Sequence, residues 1–181
     1  ADLVAEAGIP AGVINIITGN GHTAGDRMVK HPDVDKVAFT GSTEIGKLIN
    51  RNATDTLKRV TLELGGKSPV VVMPDVDVAE AAPGAAGAIF FNAGQVCVAG
   101  SRLYAHRSIF DQVLEGVAAT APFWAPRPSL DPDAHMGALV SKEQHDRVLG
   151  YIEAGKRDGA SVVMGGDAPS SDGGYFVNPT V

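Results

Sequence analysis

The sequence predicts an α/β fold built on parallel strands. Short β-branched runs alternate along the chain with segments whose apolar residues recur at helical spacing. Glycine or proline punctuates most junctions between them. That alternation marks strand–helix–strand units, in which successive strands lie parallel and helices cover the sheet. Composition bounds the class: of 181 residues, 44% are hydrophobic and 20% charged, which suits a globular chain able to bury a core and excludes disordered and collagen-like chains.

The elements follow in order. The opening ADLVAEAGIP reads as the end of an amphipathic helix. Next, GVINIITG is a β-branched run closed by Gly19, and residues 22–30 read as a short helix before the break at Pro32. DKVAFTG gives a buried strand that runs into the helix STEIGKLINRNA, where Ile45, Leu48 and Ile49 share a face. RVTLEL is the next strand. After GGK, SPVVVMPDVD is a strand ended by Pro74, and an alanine-rich helix follows over 78–92, with Pro83 close enough to its start to be tolerated. SRLYAH resumes β structure. Helices are expected over 108–120 and 141–158, separated by PFWAPRPSLDPDAHMG, whose four prolines make it a loop. ASVVMGG and the closing YFVNPTV read as strands. A domain boundary is expected at Gly65 and Gly66, dividing the chain into residues 1–64 and 65–181. With no initiator methionine and both ends reading as mid-element, the chain is expected to be an internal segment of a longer protein.

Charge narrows the partners. The net charge is -6, from 15 basic and 21 acidic residues, with no basic run, which argues against nucleic acid or an anionic membrane surface. No apolar run approaches the roughly 20 residues of a membrane span, no signal peptide is evident, and the single cysteine cannot form an internal disulfide. A reducing cytoplasmic location is the expectation. The five histidines, His22, His31, His106, His135 and His145, show no metal-ligand spacing, so no metal site is expected.

Three stretches could carry chemistry. In FTGSTEIG, Gly41 and Gly46 bracket a strand-to-helix turn in which Ser42 and Thr43 add hydroxyls. Free N–H groups and the positive end of the helix dipole suit a phosphate there. The spacing is neither the Rossmann fingerprint nor a P-loop, and a capped turn without ligand reads equally well. In VTLELGGKSP, Glu63 lies between Leu62 and Leu64 at the carboxyl end of a strand, where desolvation would suit a general base. Pairing with Lys67 or Arg59 is the other reading. In FFNAGQVCVAGSR, Cys97 stands among small residues that leave room for a substrate and for backbone N–H groups facing an oxyanion. A buried cysteine acting as a small apolar side chain is the alternative.

Taken together and in this order, FTGSTEIG, LELGGKSP and FFNAGQVCVAGSR resemble the core of the aldehyde dehydrogenase superfamily. The flanking GIPAGVINIITG, HPDVDKVAFTG, GYIEAGKRDGASVVMGG and GYFVNPTV are similar to family segments, so the likeness covers nearly the whole chain. It implies that residues 1–64 are the carboxyl-terminal part of an NAD(P)-binding domain and 65–181 the amino-terminal part of a catalytic domain. Cys97 would attack an aldehyde carbonyl to give a thiohemiacetal, which becomes a thioester once hydride passes to NAD or NADP. Glu63 would activate the water that releases the acid, and the Cys97 N–H would help hold the oxyanion. Gly41, Ser42 and Gly46 match the family's cofactor-phosphate turn, and Leu64 a residue beside the nicotinamide. A homo-oligomeric parent is implied. A relative that passes its acyl group to coenzyme A and a non-catalytic structural relative are the rival readings; Glu63 argues against the first, and Glu63 with Cys97 against the second.

The resemblance also marks departures. Residues 92–95 read NAGQ where the family often has NQGQ, and APFWAPRPSLDP replaces its usual lead into LDP, as a divergent loop or a short sequence error. The family's oxyanion-stabilising asparagine and adenosine-ribose residues would precede Ala1, and its second glutamate motif would follow Val181. The 181-residue piece is therefore expected to have little or no dehydrogenase activity by itself.

Overall fold

A computed structural model describes residues 2–170 and 173–181. It mixes helices with parallel strands and divides into two compact units, Ala1–Leu64 and Gly65–Val181.

The first unit begins with α1 (Asp2–Glu6) and, after an irregular stretch, a single π-type turn (Gly21–Gly25) that runs into α2 (Asp26–Lys30). Its sheet pairs β1 (Lys36–Gly41) in parallel with β2 (Arg59–Leu64), in a register that sets Thr40 against Glu63 and Gly41 against Leu64. The connection is α3 (Thr43–Asn52), so strand, helix and parallel strand form one crossover unit. Asp26 ties α2 to α3 by accepting from Lys30 Nζ at 2.7 Å and Asn52 Nδ2 at 2.8 Å. The Lys30 hydrogen bond, aided by Asn52, holds the Asp26 carboxyl below its ordinary range. At the foot of β2, Lys58 is buried and donates to the His31 carbonyl and to Thr56 Oγ1, so its ammonium is solvated by protein oxygens in place of water.

The second unit holds β3 (Pro69–Val72) parallel to β4 (Arg102–Ala105), connected through α4 (Val78–Phe90). Asp77 caps α4 by accepting from the Ala79 N–H at 2.9 Å, and the helix continues through Pro83 at the loss of one ladder hydrogen bond. Then come α5 (Phe110–Ala118) and, beyond the proline-rich loop, α6 (Lys142–Arg157), capped by Ser141. The core comprises Val72, Ala82, Ala85, Ala86, Phe90, Val113, Val117 and Met136. Alanine dominates α4 because α5 comes so close: a Cβ added at Gly116 would stand 2.6 Å from that of Ala82. The proline-rich segment is a loop, as expected. Trp124 packs on the core with its ring 6.2 Å from that of Phe90, while Phe123 stacks on His135 at 3.8 Å.

Three expected strands do not form. Residues 12–19 open on a turn closed by Val13 N–H donating to the Pro10 carbonyl at 3.2 Å and join no sheet among the described residues, and Val13, Ile14, Ile16 and Ile17 are exposed. ASVVMGG and YFVNPTV meet where the Val163 and Met164 N–H groups donate to the Val181 carbonyl at 2.8 and 3.2 Å, Val181 N–H donates to the Met164 carbonyl at 3.0 Å and Gly166 N–H donates to Thr180 Oγ1 at 3.0 Å. No ladder extends from there: Gly165 and Gly166 turn the chain at φ +69° and +93°, and Pro179 has no N–H to offer. The alanine-rich helix also ends two residues short of Asn92, because Asn92, Ala93 and Gly94 adopt left-handed φ of 51°, 54° and 74°.

Candidate functional site

Five of the six candidate residues gather at the carboxyl ends of β1 and β2. Strand β1 ends on Gly41, where a Cβ would stand 2.5 Å from Phe39 Cζ; the bare backbone lets the Phe39 ring fold against it. Ser42 then caps α3, its Oγ accepting from the Ile45 N–H at 3.3 Å. The helix ladder starts with Gly46 N–H donating to the Ser42 carbonyl at 2.9 Å. The N–H groups of Thr43 and Glu44 come before that ladder, and with the Ser42 hydroxyl and the positive helix end they fit a phosphate oxygen. The Glu44 carboxylate in the same turn tempers that attraction.

Gly46 does something other than approach a ligand. It is the buried residue of α3, and an added Cβ would meet Leu64 Cδ2 at 2.7 Å and Leu62 Cδ1 at 3.6 Å. Its missing side chain admits the leucines of β2 and sets the spacing between helix and sheet. Leu64, paired in register with Gly41, thus links the end of β2 to α3. Glu63 points the other way along the alternating strand and is exposed, with no ion pair among the described residues. Among the described residues it does not take up the desolvated setting expected for a general base.

Cys97 belongs to the second unit. It is exposed, at the tip of a turn closed by Ala99 N–H donating to the Val96 carbonyl at 3.0 Å. The loop is pinned on its far side, where Gly100 N–H donates to the Ala88 carbonyl of α4 at 2.8 Å and the Gly100 backbone lies so close to Val70 of β3 that a side chain would not fit. On its near side it leaves the left-handed run 92–94, in which a side chain such as that of Ala93 is disfavoured by about 1–2 kcal/mol. Gly66 lies beneath, its Cβ position 3.7 Å from the Cys97 carbonyl oxygen. An exposed thiol on a short, doubly anchored turn among small residues can reach an electrophile, and packing alone does not account for it.

Sequence reasoning missed Gln95. Its side chain accepts from the Val140 N–H at 2.9 Å through Oε1, and its Nε2 donates to the carbonyls of Asn92 at 3.2 Å and Ala138 at 3.5 Å. The available signal was a pair of amides, Asn92 and Gln95, three positions apart among glycine and apolar residues just before the thiol. Among the described residues, no three His, Cys, Asp or Glu side chains converge as a metal-binding group, and no helix is long and apolar enough to cross a membrane.

The model of the aldehyde dehydrogenase family matches residues 1–181. The chain is 52% identical over 181 residues to phenylacetaldehyde dehydrogenase of Pseudomonas fluorescens, covering all of this chain and 36% of that protein. Its structure superposes on an aldehyde dehydrogenase from Bacillus cereus solved as an NAD+ complex, with TM-score 0.94 and 47% identity, covering 99% of this chain and 36% of that one. It superposes as well on gamma-glutamyl-gamma-aminobutyraldehyde dehydrogenase from Burkholderia cenocepacia, with TM-score 0.94 and 51% identity over 98% of this chain and 36% of that one. The chain thus spans about 36% of the length of the relatives it matches. With the family's model matched along all 181 residues and relatives about 50% identical over the same length, the chain belongs to the aldehyde dehydrogenase family.

Proposed function

We propose that the protein carrying this chain oxidises an aldehyde to a carboxylic acid with a nicotinamide cofactor, with Cys97 as nucleophile and Glu63 as general base. The observation that carries this reading is the exposure of Cys97 on its anchored turn, since a thiol retained for packing would be buried. In the reaction, the Cys97 thiolate bonds to the aldehyde carbon while the carbonyl π electron pair moves onto the oxygen, whose negative charge is held beside the loop's backbone N–H groups and returns to re-form the C=O as hydride leaves. A bound NAD or NADP supplies the acceptor for the hydride that the carbon must lose to become a thioester. Glu63 then takes a proton from water, whose oxygen attacks the thioester carbon and expels the Cys97 thiolate with the free acid. Gly41 and Ser42 would hold the cofactor phosphates at the α3 N-terminus, with Leu64 beside the nicotinamide end and Gly46 setting the helix that supports them.

Phenylacetaldehyde and gamma-glutamyl-gamma-aminobutyraldehyde are the aldehydes named for two relatives, and the class they share is the substrate proposed for this protein. The test is iodoacetamide alkylation of the full-length protein beside a Cys97→Ala variant. Loss of aldehyde oxidation in step with one modified thiol, and loss of about 10³-fold or more in the variant, is the expected outcome. Turnover that survives Cys97→Ala would end the assignment.

A further inference from the structure

The geometry points to Gln95 as the residue that positions Cys97. This rests on the reading of Cys97 as nucleophile. The loop bearing the thiol has two anchors. One is the Gly100 N–H on the Ala88 carbonyl. The other is the Gln95 side chain, which reaches across more than forty residues of sequence to the backbone at Ala138 and Val140. Its firm arm is the 2.9 Å acceptance from the Val140 N–H; the 3.5 Å reach to the Ala138 carbonyl is long and adds little. The same amide donates to the Asn92 carbonyl at 3.2 Å, and Asn92 Nδ2 donates back to the Gln95 carbonyl at 3.2 Å. A reciprocal amide pair thus closes the left-handed run 92–94, a conformation that Asn92 and especially Ala93 do not favour by themselves.

The consequence falls on residues 96–99. With Gln95 held, the chain between it and Gly100 is a single turn with Cys97 at its tip, and few conformations connect the two anchors. With the amide removed, the strained residues before it are free to relax toward ordinary backbone angles, and the turn swings on its remaining anchor. Displacing a nucleophile by about 1 Å can cost roughly 100-fold in rate without weakening substrate binding. The hydrogen bonds of the Gln95 side chain run to the backbone at Asn92, Ala138 and Val140 and not to Cys97, so it acts through the backbone, and its removal should lower kcat and leave KM in place.

The experiment compares Gln95→Met, which keeps length and volume but neither hydrogen-bonding arm, with unmodified full-length protein and Cys97→Ala. Expected for Gln95→Met are a fall in kcat of roughly 10- to 100-fold, KM within about twofold, and slower alkylation of Cys97 by iodoacetamide with a shifted pH profile. Wild-type kcat and alkylation in Gln95→Met, with Cys97→Ala inactive, would overturn the positioning role and leave the nucleophile standing. Activity retained in Cys97→Ala would remove both. Should Gln95→Met fail to fold, hydrogen exchange in the unmodified protein decides: the Val140 amide is expected to exchange slowly, and exchange at the rate of a free amide would overturn the clip.

Discussion

Gly46 and Leu64 share one space: a Cβ at Gly46 would lie 2.7 Å from Leu64 Cδ2 and 3.3 Å from Cδ1. Glycine in a helix interior costs up to about 1 kcal/mol relative to alanine, so packing against β2 is what justifies it here. Alanine is expected to be nearly neutral, because its helix preference offsets the small shift asked of the leucine tip. Gly46→Val cannot be absorbed in this way and is expected to cost about 1–3 kcal/mol and to weaken cofactor binding through Leu64. Urea denaturation of the full-length protein and a nicotinamide titration measure the two effects. An unchanged midpoint for the valine variant would contradict the contact.

Ser42→Ala removes the side-chain acceptor for the Ile45 N–H and is expected to cost about 1 kcal/mol, while Ser42→Gly should cost only a few tenths. If the hydroxyl also serves the cofactor phosphate, both variants raise the Kd for NAD or NADP by similar factors. Equal stability losses in the two variants would show that capping is not what Ser42 contributes.

Glu63→Gln separates the two halves of the proposed reaction. Acyl transfer to Cys97 needs no base at position 63, whereas water attack does, so a burst of about one product equivalent per active site should precede a steady rate lowered roughly 10²- to 10⁴-fold. Rapid-quench kinetics reads this directly. A wild-type steady rate would remove Glu63 from the mechanism.

Acid should unpick the α2–α3 tie in a definite window. The Asp26 carboxyl is held below its ordinary value of 3.8, chiefly by the Lys30 hydrogen bond. Its contribution is therefore complete above the unfolded value and disappears as pH falls through the lower folded one. Asp131, held down by the Asp133 N–H and then Arg127, and Asp146, held down by Lys142 and then His145, follow the same sign. Asp26→Asn is expected to flatten the loss of stability below about pH 4 and leave the neutral range nearly unchanged. Carboxyl NMR titration of Asp26 with a midpoint at or above 3.8 would refute the tie.

Ala93→Gly should stabilise. At φ 54° and ψ 33° the alanine side chain crowds its own backbone, and glycine relieves roughly 1 kcal/mol of that, less the entropy glycine adds to the unfolded chain. A net gain of about 0.5 kcal/mol is expected by thermal denaturation. A loss of stability would mean that the left-handed run is held without strain.

The parallel crossover units were legible because the β-branched runs at β1, β2 and β3 are short, sharply bounded and followed by helical periodicity. Ser42 was legible as the cap of a strand-to-helix turn. The packing role of Gly46 was not, since nothing local says which leucine will face it. The run 12–19 misled for a physical reason: β-branched composition gives a chain that extends, but a strand also needs a neighbour with free N–H and carbonyl groups in register, and composition does not supply one. ASVVMGG failed at its glycine pair, where positive φ turns the backbone and the adjacent Pro179 has no N–H with which to continue a ladder. Gln95 escaped notice because its partners at Ala138 and Val140 are distant along the chain, and a single amide has no periodicity.

The apolar ribbon from Val13 to Thr18 has a material consequence. Among the described residues, the main-chain N–H groups of Ile14 through Thr18 find no backbone acceptor, and four branched side chains stand in solvent beside them. Such an edge is a template that any like segment can dock against. Concentrated solutions of this 181-residue polypeptide should therefore turn cloudy through cross-molecule β pairing, and a lysine placed at Ile16 should keep them clear.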